Sequence, residues 1–338
     1  MAGVGRSAFA NAMENAALIQ GPRLAIALSG GADSTALLCL LSEWARKPSE
    51  QLLAITVDHG LRKESGDEAI HVKTFAQRFN VPHEIHKVQW LEKDKLQRSQ
   101  LQEMARIKRY QVLKDVCEKN DIAALLVAHN LGDQAETLLM RLGRGSGWNG
   151  LVGIPMKTTI PVQPTSKIPL VRPLLSFDKQ QLKATCKRFN QEWVEDPSND
   201  SDDFDRIRIR KALVNCDDKM IFQRLSSLQQ HAEQAHQELV QAEMELCQKH
   251  LKKVDNVLVL NDTFLNDPMV FDELAIRVLT GIVHKVGQKQ YPPRVASVNA
   301  LWNTWNRLDM KTNSKLTLGC CLVRKTRRGI EFTIETKL

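Results

Sequence analysis

No Cys-x-x-Cys pair occurs among the seven cysteines, which stand at 39, 117, 186, 216, 247, 320 and 321. The first five are scattered singly through helical or apolar contexts, and Cys320 and Cys321 are too close for an ordinary bridge. This argues against a disulfide framework and against zinc or iron-sulfur ligation, and it fits a reducing compartment. Long apolar runs are missing as well. Without a stretch of 18 apolar residues or a signal-peptide core, no membrane partner is expected. Cytoplasm is the simplest address. The first 20 residues are short and poor in arginine for a transit peptide, which leaves an organellar matrix as the alternative. There is no internal repeat and no Gly-Lys-Ser/Thr of a Walker A loop.

What is present describes a folded chain. At 338 residues two domains are expected, with a boundary near residue 215, so that 1–215 and 216–338 separate. Hydrophobic residues make up 43% and charged residues 25%, a globular profile that can bury a core. The net charge of +8 favours a polyanionic partner, because each cation placed on a phosphate releases condensed counterions.

The first half alternates short apolar runs with helical patterns. Residues 24–28, 52–57, 83–88 and 123–128 read as strands, and 35–46, 66–79, 99–119 and 133–142 as helices. That is the rhythm of an α/β fold with a parallel sheet covered by helices, which binds ligands at the carboxyl ends of its strands. Glycines and prolines between Gly143 and Pro173 predict loops with short extended pieces. A helix over 177–189 follows, then an acidic stretch, 195–203, that switches to the basic run Arg206 to Lys211, where Arg206, Arg208, Arg210 and Lys211 read as one strand face or as a solvated basic turn. A long amphipathic helix over 220–251 leads to a small α+β domain, with helices at 271–286 and 294–307 and strands at 316–325 and 329–335.

Three βα junctions carry the chemistry. Ser29-Gly30-Gly31-Ala32-Asp33-Ser34 follows the first strand and opens a helix, where backbone N–H groups and the helix dipole can cradle a phosphate. The plain alternative is a tight turn capped by Asp33 or Ser34. Asp58, His59 and Arg62 end the second strand, in a loop suited to adenine or ribose or to simple capping. After His129, itself a candidate core histidine, Asp133 and Glu136 stand one helical turn apart at a helix start. There they can hold an ammonium group or a magnesium ion, or only complement the dipole, while Leu138, Leu139 and Leu142 can face the core.

Taken together, these blocks resemble the tRNA(Ile)-lysidine synthetase family of PP-loop ATP pyrophosphatases. The likeness also includes Ala105-Arg106 with Arg109-Tyr110, the block 128–147, Arg172-Pro-Leu-Leu175, residues 193–199, Arg206 to Arg210, and Tyr291-Pro-Pro-Arg294. The resemblance implies a Rossmann-like catalytic domain followed by a helical linker and a tRNA-binding accessory domain. It implies that ATP with Mg²⁺ adenylates C2 of cytidine 34 in a tRNA(Ile) with anticodon CAU, and that the ε-amine of L-lysine then displaces AMP. Ser29 to Ser34, Asp58, His59 and His129 would hold ATP, and Asp33 would support the metal-pyrophosphate. Asp133 and Glu136 would recognise lysine, with Arg106 beside them in the catalytic group. Arg109, Arg206, Arg208 and Arg210 would face substrate carboxylate or tRNA phosphates, for which a guanidinium fork is suited. A homodimer is left open. Two positions depart from the family: Gly132 replaces the usual first Asp of DDQAET, and Ile207 an Asn. They keep two alternatives in view, another PP-loop tRNA-modifying enzyme and a catalytically silent tRNA-binding paralogue.

Overall fold

In a computed structural model the chain forms two compact units, 1–231 and 232–338. The structure describes residues 2–18, 22–60, 65–90, 98–144, 150–195, 205–214, 220–255, 257–289, 292–306 and 314–335. Arg62, Gly145, Gly147, the acidic run 196–203, Cys216 and Tyr291 therefore lie outside the described residues.

The first unit is built on a six-stranded sheet of order β3-β2-β1-β4-β6-β5. The strands are β1 (Leu24–Ala27), β2 (Leu52–Asp58), β3 (His83–Lys87), β4 (Ala124–Leu126), β5 (Lys157–Thr159) and β6 (Pro169–Val171). All neighbours run parallel except β5 against β6. Because side chains alternate along a strand, Leu24 and Ile26 enter one layer while Ala25 enters the other. The first layer packs on α1 (Arg6–Asn15), α2 (Ala32–Trp44) and α4 (Ser65–Arg78), the last two being the crossovers from β1 and β2. The second packs on Tyr110, Leu113 and Val116 of α5 (Arg98–Lys119). Burial on both faces explains why β1 and β2 read as nearly continuous apolar runs. Helices α6 (Leu131–Gly143), α7 (Lys179–Arg188) and α8 (Asp205–Val214) complete the unit; the short α3 (Pro48–Gln51) only leads into β2.

Two expectations in this half are corrected. The basic run Arg206 to Arg210 is helical within α8, not an alternating strand face or a turn. On a helix, Arg206 and Arg210 share a face and Arg208 does not. Leu138 is buried, as expected for the apolar side of α6, whereas Leu142 is exposed. The next turn of α6 has run past the packed cluster of Ala135 and Leu138 with Leu213 of α8. The helix at the N-terminus was not anticipated: Phe9 and Met13 are its only large apolar side chains, and with Ala12 they are recognisable as core only once they meet α2.

The long helix α9 (Ile221–His250) contains the boundary between the units. In the second unit an antiparallel sheet of order β7-β8-β11-β10-β9 forms from Leu251–Val254, Val257–Leu260, Gly329–Ile334, Cys321–Thr326 and Lys315–Leu318. The stretch 316–325 is two strands joined at Gly319-Cys320, both with positive φ, and not one strand. Sequence reading also missed the β7-β8 hairpin, whose first strand is a continuation of the helical pattern in Leu251-Lys252-Lys253-Val254. Helices α10 (Asp272–Gly287) and α11 (Val295–Asn306) bring Trp302 and Trp305 onto Phe264, with the Phe264 and Trp305 rings stacked 5.7 Å apart. Such aromatic burial is the main stabilising term of a small layer.

Two predictions follow from this packing. Gly329 has φ of 130°, and a Cβ there would come within 2.2 Å of the Leu260 carbonyl oxygen on the neighbouring strand. Gly329→Ala therefore destabilises the second unit by about 2 kcal/mol or more; an unchanged denaturation midpoint would contradict the close approach. In the first unit, the Thr56 hydroxyl donates to the Leu28 carbonyl at 2.6 Å, so His83 Nε2–H donates to Thr56 Oγ1 at 2.8 Å. Burial, with a smaller push from Lys73, lowers the His83 pKa to about 4. The neutral ring is the folded form, so its contribution is complete above the unfolded pKa near 6.5 and declines as pH falls towards 4. With screening by solvent the effect is about 1–2 kcal/mol. His83→Gln should flatten stability between those pH values, measured by chemical denaturation at each pH.

Candidate active site

The carboxyl ends of β1, β2 and β4 open into a cleft of about 920 Å³. Ser29, Gly31, Asp33 and Ser34 line one wall, Asp58 and His59 a second, and Arg109 and His129 close it. The loop that follows β1 is held open by its own backbone. Gly30 has φ of 85°, and a Cβ there would strike Val72 at 2.4 Å. Its carbonyl accepts from Val194 N at 2.8 Å and from the Thr35 hydroxyl at 3.1 Å. Gly31 is the N-cap of α2, and no side chain caps the helix. The turn-capping alternative is thus not what the loop does. Ser34 Oγ instead donates to the Gly31 carbonyl at 3.1 Å and accepts from Ser29 N at 3.2 Å, which fixes the curvature and leaves the first N–H groups of α2 towards the cleft for an anion.

Asp33 stands in the first turn of α2, and its Oδ1 is buried with no hydrogen-bond partner. Burial raises its pKa; Lys179 pulls it back, Asp133 raises it further, and the Asn130 side chain and Arg210 lower it. A buried carboxylate oxygen of this kind is suited to a cation. Asp58 is tied locally, its Oδ1 accepting from Gly60 N at 2.8 Å. His59 is kept towards the neutral form by burial and by Arg109, against the pull of Asp58. Its carbonyl accepts from the Trp90 indole at 2.7 Å, which fixes the loop.

From β4 the chain enters α6 through a reciprocal cap. Asp133 N donates to Asn130 Oδ1 at 3.2 Å and Asn130 N donates to Asp133 Oδ2 at 3.0 Å. One turn on, Glu136 is buried and forms a two-point pair with Arg210 of α8, Nε to Oε1 at 2.6 Å and Nη2 to Oε2 at 3.2 Å. The Arg210 pKa rises accordingly, chiefly through Glu136, with Asp133 and Asp33 adding to it. Asp33, Asp133, Glu136 and Arg210 are one electrostatic cluster beside the cleft.

The remaining arginines divide. Arg106 and Arg109 both lie against the buried Tyr110 ring, at 5.0 and 5.1 Å from its centroid. Arg208 is exposed, and the Arg206 side chain lies outside the described residues. Sequence reading passed over three participants. Asn130 was legible as the first residue of an Asn-x-x-Asp cap; Lys179 and the role of Arg172 were not. Arg172 is buried, donates to the Pro155 carbonyl at 2.8 Å and to Thr158 Oγ1 at 3.2 Å, and has its pKa lowered mainly by burial. No helix among the described residues is long and apolar enough to cross a membrane.

Comparison with known proteins agrees with this geometry. Residues 6–216 match the PP-loop domain family. A tRNA(Ile)-lysidine synthase of Ruegeria pomeroyi is 36% identical over 320 residues, 93% of this chain and 72% of that protein. The synthase of Wolbachia pipientis wMel is 32% identical over 324 residues, 95% of this chain and 73% of its own length. Among solved structures, the U34-tRNA thiolase NcsA of Methanococcus maripaludis, with its [4Fe-4S] cluster, superposes with a TM-score of 0.54 at 17% identity, covering 68% of this chain and 77% of the thiolase, a likeness of fold. A first unit built round a phosphate loop and a similarity that continues through the second unit lead to one conclusion: the chain belongs to the tRNA(Ile)-lysidine synthase family of PP-loop enzymes.

Proposed function

We propose that this chain joins L-lysine to cytidine 34 of a tRNA(Ile) with anticodon CAU, consuming ATP and releasing AMP and pyrophosphate. The observation that carries this reading is a phosphate loop whose buried Asp33 oxygen has no hydrogen-bond partner, in one cluster with Asp133 and Glu136, which can take an ammonium group. An unactivated C2 oxygen leaves poorly, so it must first become an AMP ester. The N–H groups at the start of α2 and the Ser29–Ser34 loop bind the pyrophosphate that departs, stabilising charge as it develops. Asp33 fits Mg²⁺, which takes one or two carboxylates and completes its shell with phosphate oxygens and water; the ion would neutralise the leaving group. Asp58, His59 and His129 hold the nucleoside of ATP.

Lysine arrives with its ε-amine protonated, near pKa 10.4, and is not then a nucleophile. Glu136 and Asp133 bind the ammonium and draw it out of water, and passing its proton to one of these carboxylates creates the nucleophile. Arg106 and Arg109, set on the Tyr110 ring, face the carboxylate of lysine or the phosphates of the RNA. A thiolation chemistry is less well supported. Among the described residues no cysteine lines the cleft, and Cys117 is buried with its thiol pushed up to about 12.

The test uses the purified protein with ATP, Mg²⁺, lysine and the CAU-bearing transcript. Nucleoside mass analysis should show one lysine added to C34, and bound but unmodified tRNA would sink the proposal. Asp33→Asn should lower AMP formation by about 100-fold or more, the loss expected of one interaction that stabilises transition-state charge. Its affinity for tRNA should stay within about twofold. Turnover equal to the parent enzyme would remove Asp33 from its assigned role.

A further inference from the structure

Arg210 is held far more tightly than a residue waiting for tRNA phosphate needs to be. Its fork grips both oxygens of Glu136, whose side chain is 4% exposed while that of Arg210 is 37% exposed. We propose that Arg210 is an internal stand-in for the ε-ammonium of lysine: it occupies the Glu136 carboxylate until the nucleophile displaces it, and so sets the affinity of that subsite. The inference rests on the assignment of Glu136 to lysine made above.

Three observations carry it. A buried carboxylate left without a cation is costly, so Glu136 has to keep a partner at every stage. Exchanging one monocation for another leaves the charge of the Asp33, Asp133 and Glu136 cluster unchanged, and the exchange is then decided by geometry rather than by net electrostatics. The mobile partner is the arginine. Glu136 lies in α6 between the buried Ala135 and Leu138, whereas Arg210 reaches in on a long, partly exposed stem. Helix α8 does not have to detach, because Leu213 packs with Ala135 and Leu138 and anchors it. Rotation of the Arg210 side chain releases both of its bonds to the carboxylate.

A resident competitor weakens every cation that binds the same carboxylate by the same factor, set by the fraction of time the carboxylate is occupied. A guanidinium fork makes two parallel bonds to a carboxylate and an ammonium makes point contacts, so with Arg210 removed the site should take arginine as well as lysine, each more tightly than in its presence.

The experiment measures lysine and arginine binding by calorimetry to wild-type protein, Arg210→Gln and Arg210→Lys, each saturated with a non-hydrolysable ATP analogue. Arg210→Gln should tighten lysine about tenfold or more and should create measurable arginine binding. Arg210→Lys, which keeps a weaker competitor, should tighten lysine by a smaller factor. Thermal melting supplies a second readout: Arg210→Gln should melt below wild type and regain more stability from added lysine than wild type does. If Arg210→Gln does not fold, the direction of the Arg210→Lys shift decides. Weaker or unchanged lysine binding in the folded variants overturns the stand-in while leaving Glu136 as the lysine ligand. Lysine binding by none of the three proteins overturns the Glu136 assignment and the stand-in with it.

Discussion

Asp33 and Asp133 stand in the first turns of α2 and α6, two helices that leave the adjacent strands β1 and β4, and the rest of the site depends on holding those charges close together. Each acid alone is favoured by the positive end of its own helix. Together they repel, which is one reason the Asp33 carboxyl is raised. The surrounding structure supplies what offsets the repulsion: the Asn130 amide between the two helix starts, Lys179 at the start of α7, and Arg210 from α8. A site arranged in this way carries its own cations, and they come from residues far apart in the sequence.

That separation explains what could be read from sequence and what could not. The loop at Ser29 to Ser34, the acid at Asp58 and the Asp133/Glu136 spacing were legible because each is a local pattern placed by a strand on one side and a helix on the other. The strand at 24–28 was legible for the same reason, while the division of Leu24 and Ile26 from Ala25 between two layers appears only in the structure. The Glu136 to Arg210 pair spans 74 positions, and nothing in either local stretch announces it. Residues 206–210 were misread because alternating arginines mimic a strand's period of two, whereas the packing of Leu213 against α6 selects a helix. The β7-β8 hairpin was hidden for a related reason: its first strand continues the polar and apolar spacing of α9, and the turn after it begins at Asp255, at φ of 54°.

The departure at Gly132 gains a physical meaning from this arrangement. The residue occupies the second position of α6, between Asn130, which caps the helix, and Asp133, which completes the cap. A Cβ there would stand 3.0 Å from Asn130 Oδ1, close enough that a side chain must shift the cap slightly. A carboxylate at 132 would also add a negative charge at a helix start beside Asp133. Its absence leaves the cap intact and takes nothing from the oxygens that Asp33, Asp133 and Glu136 present. With one acid fewer, Arg210 and Lys179 offset a larger share of the remaining negative charge, so the resident cation is held by fewer competing carboxylates and more by the two-point geometry at Glu136. If Arg210 is the stand-in proposed above, admission of the nucleophile then depends on the geometry of the Glu136–Arg210 pair as well as on the field of the acidic block.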